Sequence, residues 1–237
     1  MSNYKTKLTG VLMVIIIAAM GFSGCGPSRA RDVKQSGFLG DYSMLEKTSE
    51  KERPLYSYHN PKADWPSYSK MLLDPIVIWR RSELAKEGVP MEDLQRLANN
   101  FYLLLQKELE KDYEMVQEPG PRTMRLQVAL TDVEASWAAV DTVTSVIPIG
   151  IGVSAATEFV TGKPSFVGEV SAENKLTDAQ SGQLLIAGVD RRVGGNEIEA
   201  SVDNWDDVNK ILEIWSKLFR FRLCKLRGGE DCFNPLG

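Results

Sequence analysis

Phe166-Val-Gly-Glu-Val-Ser-Ala-Glu-Asn-Lys-Leu176 and Leu184-Leu-Ile-Ala-Gly-Val-Asp-Arg-Arg192 are joined by Thr177-Asp178-Ala179-Gln180-Ser181-Gly182, and this stretch decides the fold class. In the first arm Val170, Ala172 and Leu176 alternate with Glu169, Ser171, Glu173 and Lys175, the period of two that sends successive side chains to opposite faces of a strand. The connection is rich in turn residues, and Gly182 is free to take a positive φ. A β-hairpin follows, with an antiparallel sheet that keeps one face apolar and the other wet.

Upstream, Leu126, Val128 and Leu130 alternate with Gln127, Ala129 and Thr131 in a strand expected over 124–133. It is separated by the turn Glu118-Pro119-Gly120-Pro121 from a short strand near 113–116. Ile76-Val77-Ile78-Trp79 is a further short β-rich run. Between these strands Pro90 opens a helix with Glu92 and Asp93 in its first turn, where the helix dipole favours acids. Leu94, Leu97, Ala98, Phe101, Leu104, Leu105 and Leu109 recur on its buried side. A last helix begins near Asp203-Asn204, buries Val208, Ile211, Leu212, Trp215, Leu218 and Phe219, and ends among Lys217, Arg220 and Arg222. The expected class is therefore α+β, an antiparallel β-sheet with two amphipathic helices packed on one face, preceded by an extended N-terminal strap.

That strap holds Tyr56-Ser57-Tyr58-His59-Asn60-Pro61 and Asp64-Trp65-Pro66-Ser67-Tyr68, where prolines fix the backbone and rings supply area to bury. An aromatic ligand groove is the alternative reading of the same rings. Residues 26–55 are polar and interrupted apart from the island Phe38 to Leu45, which suggests a leash followed by a docking segment.

The amino terminus has a distinct logic. Lys5 and Lys7 precede an uncharged apolar run, Val11 to Met20, too short to span a bilayer comfortably and arranged as a secretory signal. It ends in Phe22-Ser23-Gly24-Cys25-Gly26, which resembles the bacterial lipobox, where the cysteine thiol is acylated and the signal is cut before it. That resemblance makes Cys25 a lipidation site carrying chains such as palmitate, several of which hold a membrane firmly where one holds marginally. Gly26 is not the aspartate that retains enteric lipoproteins at the inner membrane, so the outer membrane, facing the periplasm, is the expected address. The expected organisation is a signal over 1–24, a lipid-anchored leash and docking segment over 25–55, and one α+β domain over 56–237.

Composition is that of a globular chain, with 43% hydrophobic and 25% charged residues. Lys5 and Lys7 leave with the signal, which contains no acid, so 28 basic residues become 26 against 32 acidic ones, a net charge of −6. Such acidity argues against nucleic acid as a partner and against a general electrostatic grip on anionic lipid. Cys224 and Cys232 remain as a pair in a chain exported to an oxidising compartment, and Gly228-Gly229 lets the chain between them reverse. A disulfide is expected there, two separate thiols being the alternative.

No assembled catalytic set emerges. The lone His59 lies in the proline-bounded strap, and there is no G-x-S-x-G elbow. Gly150-Ile151-Gly152 lacks the remainder of a dinucleotide fingerprint, and Gly194-Gly195 lacks the Lys-Ser/Thr end of a phosphate loop. Neither a cofactor nor a metal is expected. Asp132, Glu134 and Asp141 are the acids a glycosidase would need, against the plainer reading of a solvated strand rim. Asp190, Arg191 and Arg192 are candidates for a polar recognition spot, against an ordinary exposed ion pair. The weakly charged stretch 143–160, broken by Pro148, Gly150, Gly152 and Glu158, reads as a lid-like loop with a short helix, or as a contact for lipid or an apolar ligand.

Ser36-Gly37-Phe38-Leu39-Gly40-Asp41-Tyr42-Ser43, the strap end Leu73-Asp74-Pro75, the turn at 118–121 before Leu126 to Thr131, and Asp178 to Gly182 through Val189-Asp190-Arg191-Arg192 resemble the proteobacterial lipoproteins grouped as domain of unknown function 3313. The resemblance spans nearly all of the mature chain and implies an envelope lipoprotein; it transfers no catalytic or binding residue. The order of elements is more loosely similar to periplasmic domains of curli-secretion and penicillin-binding-protein-activator lipoproteins, which act by binding partners. The expected function is a non-catalytic lipoprotein that binds an envelope protein or cell-wall partner. A carrier of apolar ligands and a cell-wall hydrolase are the alternatives.

Overall fold

The computed structural model describes residues 28–79, 91–136, 165–193 and 205–237. Among them the strands are β1 (Ser28–Arg29), β2 (Glu46–Lys47), β3 (Tyr56–His59), β4 (Lys70–Leu73), β5 (Val77–Ile78), β6 (Glu114–Val116), β7 (Thr123–Ser136), β8 (Ser165–Asp178) and β9 (Leu184–Val193). Two helices, α1 (Met91–Leu109) and α2 (Trp205–Leu226), complete the α+β architecture. The hairpin of β8 and β9 and its partner β7 form the antiparallel centre, with Leu126 opposite Leu176 and Leu176 opposite Ile186. Its loop closes as the sequence suggests: Asp178 Oδ1 accepts from the Ser181 N–H at 2.7 Å, and Gly182 sits at φ 73°.

The strands run in the order β2-β3-β9-β8-β7-β4-β6, with β1 also on β9 and β5 also on β7. β4 pairs in parallel with both β6 and β7, and β5 in parallel with β7, so the sheet is mixed rather than antiparallel throughout. The parallel register follows from the connection: α1 lies between β5 and β6, and parallel neighbours need such a crossover. The strap expected to lie on the domain is itself built into the sheet as β3 and β4. Its rings separate accordingly, with Trp65 in the core and the Tyr68 hydroxyl donating to Asp178 Oδ2 at 3.0 Å.

One sheet face carries the core. Met124, Leu126, Val128 and Leu130 of β7 and Val170 and Leu176 of β8 pack against Leu94, Leu97, Phe101 and Leu105 of α1 and Ile211, Leu212, Trp215 and Phe219 of α2. The helices also meet each other, with the Phe101 and Trp215 ring centroids 6.0 Å apart and Asn100 donating to Asn209 at 2.7 Å. Burying a large apolar side chain of this kind contributes roughly 1.5–3 kcal/mol.

The opposite face departs from expectation. Rather than being wet, it is covered by residues 33–45, and Val33, Leu55 and Val189 form a second apolar cluster with Leu39, Tyr42 and Leu45. Glu173, placed on the solvent side by the alternation, is 0% exposed. Its carboxylate accepts from the Ser36 N–H at 2.6 Å and the Tyr42 hydroxyl at 2.6 Å, because a buried charge is tolerated only where donors replace water. Burial, and then this bond to Glu173, push the Tyr42 hydroxyl above its ordinary pKa. Phe38 stacks edge-on against Trp79 at 5.6 Å, while Trp79 Nε1 donates to the Ser36 carbonyl at 3.2 Å. The island at 38–45 is thus a buckle on the back of the sheet, and residues 28–55, expected outside the domain, supply two of its strands.

The tail is closed by a disulfide between Cys224 and Cys232, with Cα atoms 5.8 Å apart. Gly229 leaves space for it, since a Cβ there would come within 2.6 Å of Cys224 Sγ.

Two outcomes are expected in urea unfolding. Tyr42→Phe loses about 1.5–3 kcal/mol, because the hydroxyl both donates to the buried Glu173 carboxylate and accepts from the Gly37 N–H at 2.7 Å. Reduction of the Cys224–Cys232 bond loses up to about 2.5 kcal/mol, the entropic value of so short a loop, while the circular dichroism of the α+β fold is retained.

Candidate functional site

Along β9 the side-chain alternation sends Asp190 and Arg192 to the helix-bearing face, opposite Ala172 and Val170, and sends Arg191 to the other. Asp190 and Arg192 are 5% and 2% exposed. Two of the three residues expected as a surface recognition spot are therefore interior. The sequence motif Asp-Arg-Arg gives no sign of the helix and strap that cover it. Asp190 Oδ2 accepts from Trp215 Nε1 at 2.8 Å and from Arg192 Nε at 3.1 Å, and Oδ1 accepts from the Leu55 N–H at 3.0 Å. Arg192 also donates to the Lys51 carbonyl at 3.1 Å. One carboxylate thereby joins α2, β9 and the strap.

Beside this node a cavity of about 40 Å³ is lined by Arg53, Pro54, Asn174, Asp190, Trp215 and Arg222 among others. Glu52, Arg53, Pro54 and Arg222 are shared with an adjoining groove of about 210 Å³ that runs between β3 and the end of α2, past Ser57, Tyr58, Phe221 and Lys225. Gly188 shapes the inner end, because a Cβ there would stand 2.7 Å from Asn174 Oδ1 and 2.8 Å from Pro54 Cγ. His59, exposed on β3, lies along the outer groove.

The electrostatics of this site are unbalanced. Arg222 donates through Nε to the Leu218 carbonyl of its own helix at 3.2 Å and lies 5.5 Å from the Phe219 ring, and no carboxylate among the described residues is within ion-pair distance of it. Burial lowers its pKa to about 10; Asp190 opposes that shift, while Arg192 and Arg53 add to it. It remains a cation at neutral pH. Arg53 donates to Ser57 Oγ at 3.0 Å and pairs at 3.4 Å with Glu50, which is itself exposed. Asn174 Nδ2 is buried with no acceptor. Arginine N–H groups and an amide donor thus face a space whose one buried carboxylate, Asp190, is already occupied by three donors. The chemistry this favours is acceptance of an anion or a carbonyl.

Nothing in their local sequence marks Arg53 or Asn174 as site residues. For Arg222 a signal existed: it falls seven residues after Trp215 and four after Leu218, on the buried stripe of α2, where a charge needs an explanation. Asp132 and Glu134 lie on β7 opposite Ser171 and Glu169, and their side chains, together with Asp141, fall outside the described residues. Cys25, the loop 143–160 and the glycines at 150, 152, 194 and 195 fall outside as well. Among the described residues no helix is long and apolar enough to cross a membrane, and no cluster of His, Cys, Asp and Glu is arranged to hold a metal.

A mixed sheet with two helices on one face, a strap wound across its edge and an arginine-lined groove beside the last helix define a small α+β domain with a cleft. The chain belongs to the family described as Protein of unknown function (DUF3313), whose model matches residues 34–219. It is 26% identical over 168 residues to the uncharacterised lipoprotein YdcL of Escherichia coli, in strains K12 and O157:H7 alike, covering 70% of this chain and 74% of that one. The family is thus one of lipoproteins of unknown function. Solved structures with some likeness include the PelC dodecamer from Paraburkholderia phytofirmans, 13% identical over 66% of this chain and 92% of that one at a TM-score of 0.34. A DUF4136 family protein from Bacteroides thetaiotaomicron is 12% identical over 73% of this chain and 95% of that one, at 0.37.

The two ionic positions are expected to separate in urea unfolding. Asp190→Ala leaves Arg192, Trp215 Nε1 and the Leu55 N–H without their acceptor and loses about 3–5 kcal/mol. Arg222→Met removes a half-buried cation without a carboxylate and leaves stability unchanged or raised by about 1 kcal/mol.

Proposed function

We propose that this chain is a non-catalytic lipoprotein of the outer membrane, anchored through Cys25, that grips a carboxylate-bearing envelope partner in the groove between β3 and α2. The observation that supports the reading is the set of donors at Arg53 and Arg222, which line that groove, and at Asn174 in the cavity adjoining it. A half-buried arginine without a carboxylate partner is a charge the fold itself does not neutralise, and an anionic group from a partner would do so. The dimensions point the same way: the described cavity and groove, at about 40 and 210 Å³, are smaller than the roughly 300–1,000 Å³ of small-molecule pockets, whereas one acidic side chain or peptide terminus fits them.

Lipidation is checked by the mass of the amino-terminal peptide from membrane-extracted protein, which carries acyl chains on Cys25 and starts at that residue; Cys25→Ala is recovered in the soluble periplasmic fraction. Partner binding is checked with a photo-crosslinking side chain at Phe221 in living cells. A discrete adduct is expected, and Arg222→Met, which keeps the fold, abolishes it. An adduct that collapses on muramidase digestion identifies cell wall, and one that resists it identifies protein. An adduct unchanged by Arg222→Met overturns the role of the groove.

A further inference from the structure

A second, open groove of about 970 Å³ lies on the strap side of β9, lined by Arg29, Arg31, Lys47, Lys51 and Arg192 together with small polar residues, Leu55 and Leu236, and by no acid. Its basic character is a product of the fold rather than of composition, since the mature chain is acidic. Glu50-Lys51-Glu52-Arg53 is a turn in which Lys51 lines this groove while Glu50, Glu52 and Arg53 line the other. Asp32, the nearby acid coupled to Lys47, does not line the groove; its carboxylate accepts from the Tyr56 hydroxyl at 3.1 Å.

The groove is held rigidly. Arg29 donates to the carbonyls of Glu50 at 2.7 Å, Thr48 at 2.9 Å and Arg53 at 3.2 Å, and so fixes the turn that presents Lys47 and Lys51. Lys47 lies 5.5 Å over the Tyr56 ring. Arg31, Lys47 and Lys51 are exposed, with no ion pair among the described residues. They are cations free to meet a ligand.

Covalent geometry says which ligand. The wall of the groove begins at Ser28, three residues after Cys25, and a fully extended chain cannot separate those Cα atoms by more than about 11 Å. With acyl chains on Cys25 in the bilayer, the Ser28 edge of the groove is confined to within about 11 Å of the anchored residue, at the membrane surface. Cations held there meet lipid phosphate at high local concentration, and each is worth about a fivefold gain in partition on an anionic surface.

We propose that this groove docks the phosphate headgroups of anionic lipid, so that the domain sits on the membrane in a fixed orientation rather than swinging from its anchor. The inference rests on the reading of Cys25 as the lipidated residue, and the test is arranged so that the two fail separately. With Cys224 and Cys232 oxidised, Cys25 is the single free thiol of the mature chain and accepts one synthetic acyl chain by thiol coupling, whatever cells attach there. One chain gives marginal binding, against which a basic patch is measurable.

Partition of this protein is compared on vesicles of pure phosphatidylcholine and on vesicles containing phosphatidylglycerol. Tighter binding to the anionic vesicles is expected, weakening as salt is raised. Replacing Arg31, Lys47 and Lys51 by Gln removes about fivefold each, on the order of a hundredfold together. Lys107→Gln, an exposed cation on α1, is the control and changes the preference little. Equal partition on the two vesicles, or a preference that survives the triple substitution, overturns the proposal. Failure to find native acyl chains on Cys25 would instead remove the reading beneath it.

Discussion

The carboxylate of Asp190 is the constraint on which the rest of the molecule depends. It sits at 5% exposure between a sheet and a helix, where an ionised group costs several kcal/mol unless its lone pairs are filled. Its three donors come from different parts of the chain: the indole of Trp215 on α2, the guanidinium of Arg192 on β9 and the backbone of Leu55 on the strap. Hydrophobic burial holds α2 against the sheet without specifying its position along it, since Leu and Phe tolerate small shifts. A directional bond from an indole N–H to a fixed oxygen does specify it, and so sets the position of Arg222 two turns further on.

The same node explains why the strap belongs to the domain. Leu55 and Pro54 are buried, and β3 lies against β9 with Tyr56 opposite Val189. On the far face Glu173 repeats the arrangement with Ser36 and Tyr42. Among the described residues each face of the hairpin thus carries one buried carboxylate, and each accepts at least one hydrogen bond from the amino-terminal third of the chain. Hydrogen bonds across more than a hundred residues of separation make the strap and buckle obligatory parts of the fold rather than a leash.

How far the sequence discloses this follows from the physics of each element. The helices and the hairpin are legible because their patterns are local: the α1 stripe from Leu94 to Leu109 and the alternation from Val170 to Leu176 each report a period and a face. What alternation cannot report is whether the polar face is wet. Glu173 and Ser171 have the residue types of a solvent-exposed face and are buried, because the cover comes from residues 33–45, whose short island has no period of its own. β4 escaped because Lys70-Met-Leu-Leu73 is brief and its partners β6 and β7 are distant. The burial of Asp190 and Arg192 is illegible for the same reason, their neighbours lying far from their own stretch. Arg222 alone offered a local clue, a charge on an apolar stripe, and a helix-end position beside Lys217 and Arg220 gave that clue an ordinary explanation.

Under the two proposals the arrangement of charge would give the two grooves different tasks. The strap passes between them, and its turn at Glu50-Lys51-Glu52-Arg53 places Lys51 on one side and Glu50, Glu52 and Arg53 on the other, so one short segment both closes the Arg222 groove and edges the Lys47 groove. Arg192 touches both the inner cavity and the outer basic groove, and its bond to the Lys51 carbonyl fixes the walls of the two relative to each other. A domain held to lipid at the second groove would present the first at a constant height and direction above the bilayer. For a protein tethered by a single residue, that fixed direction replaces a freely rotating encounter with a restricted one, and a small, shallow binding groove gains effective concentration from its orientation instead of from its area.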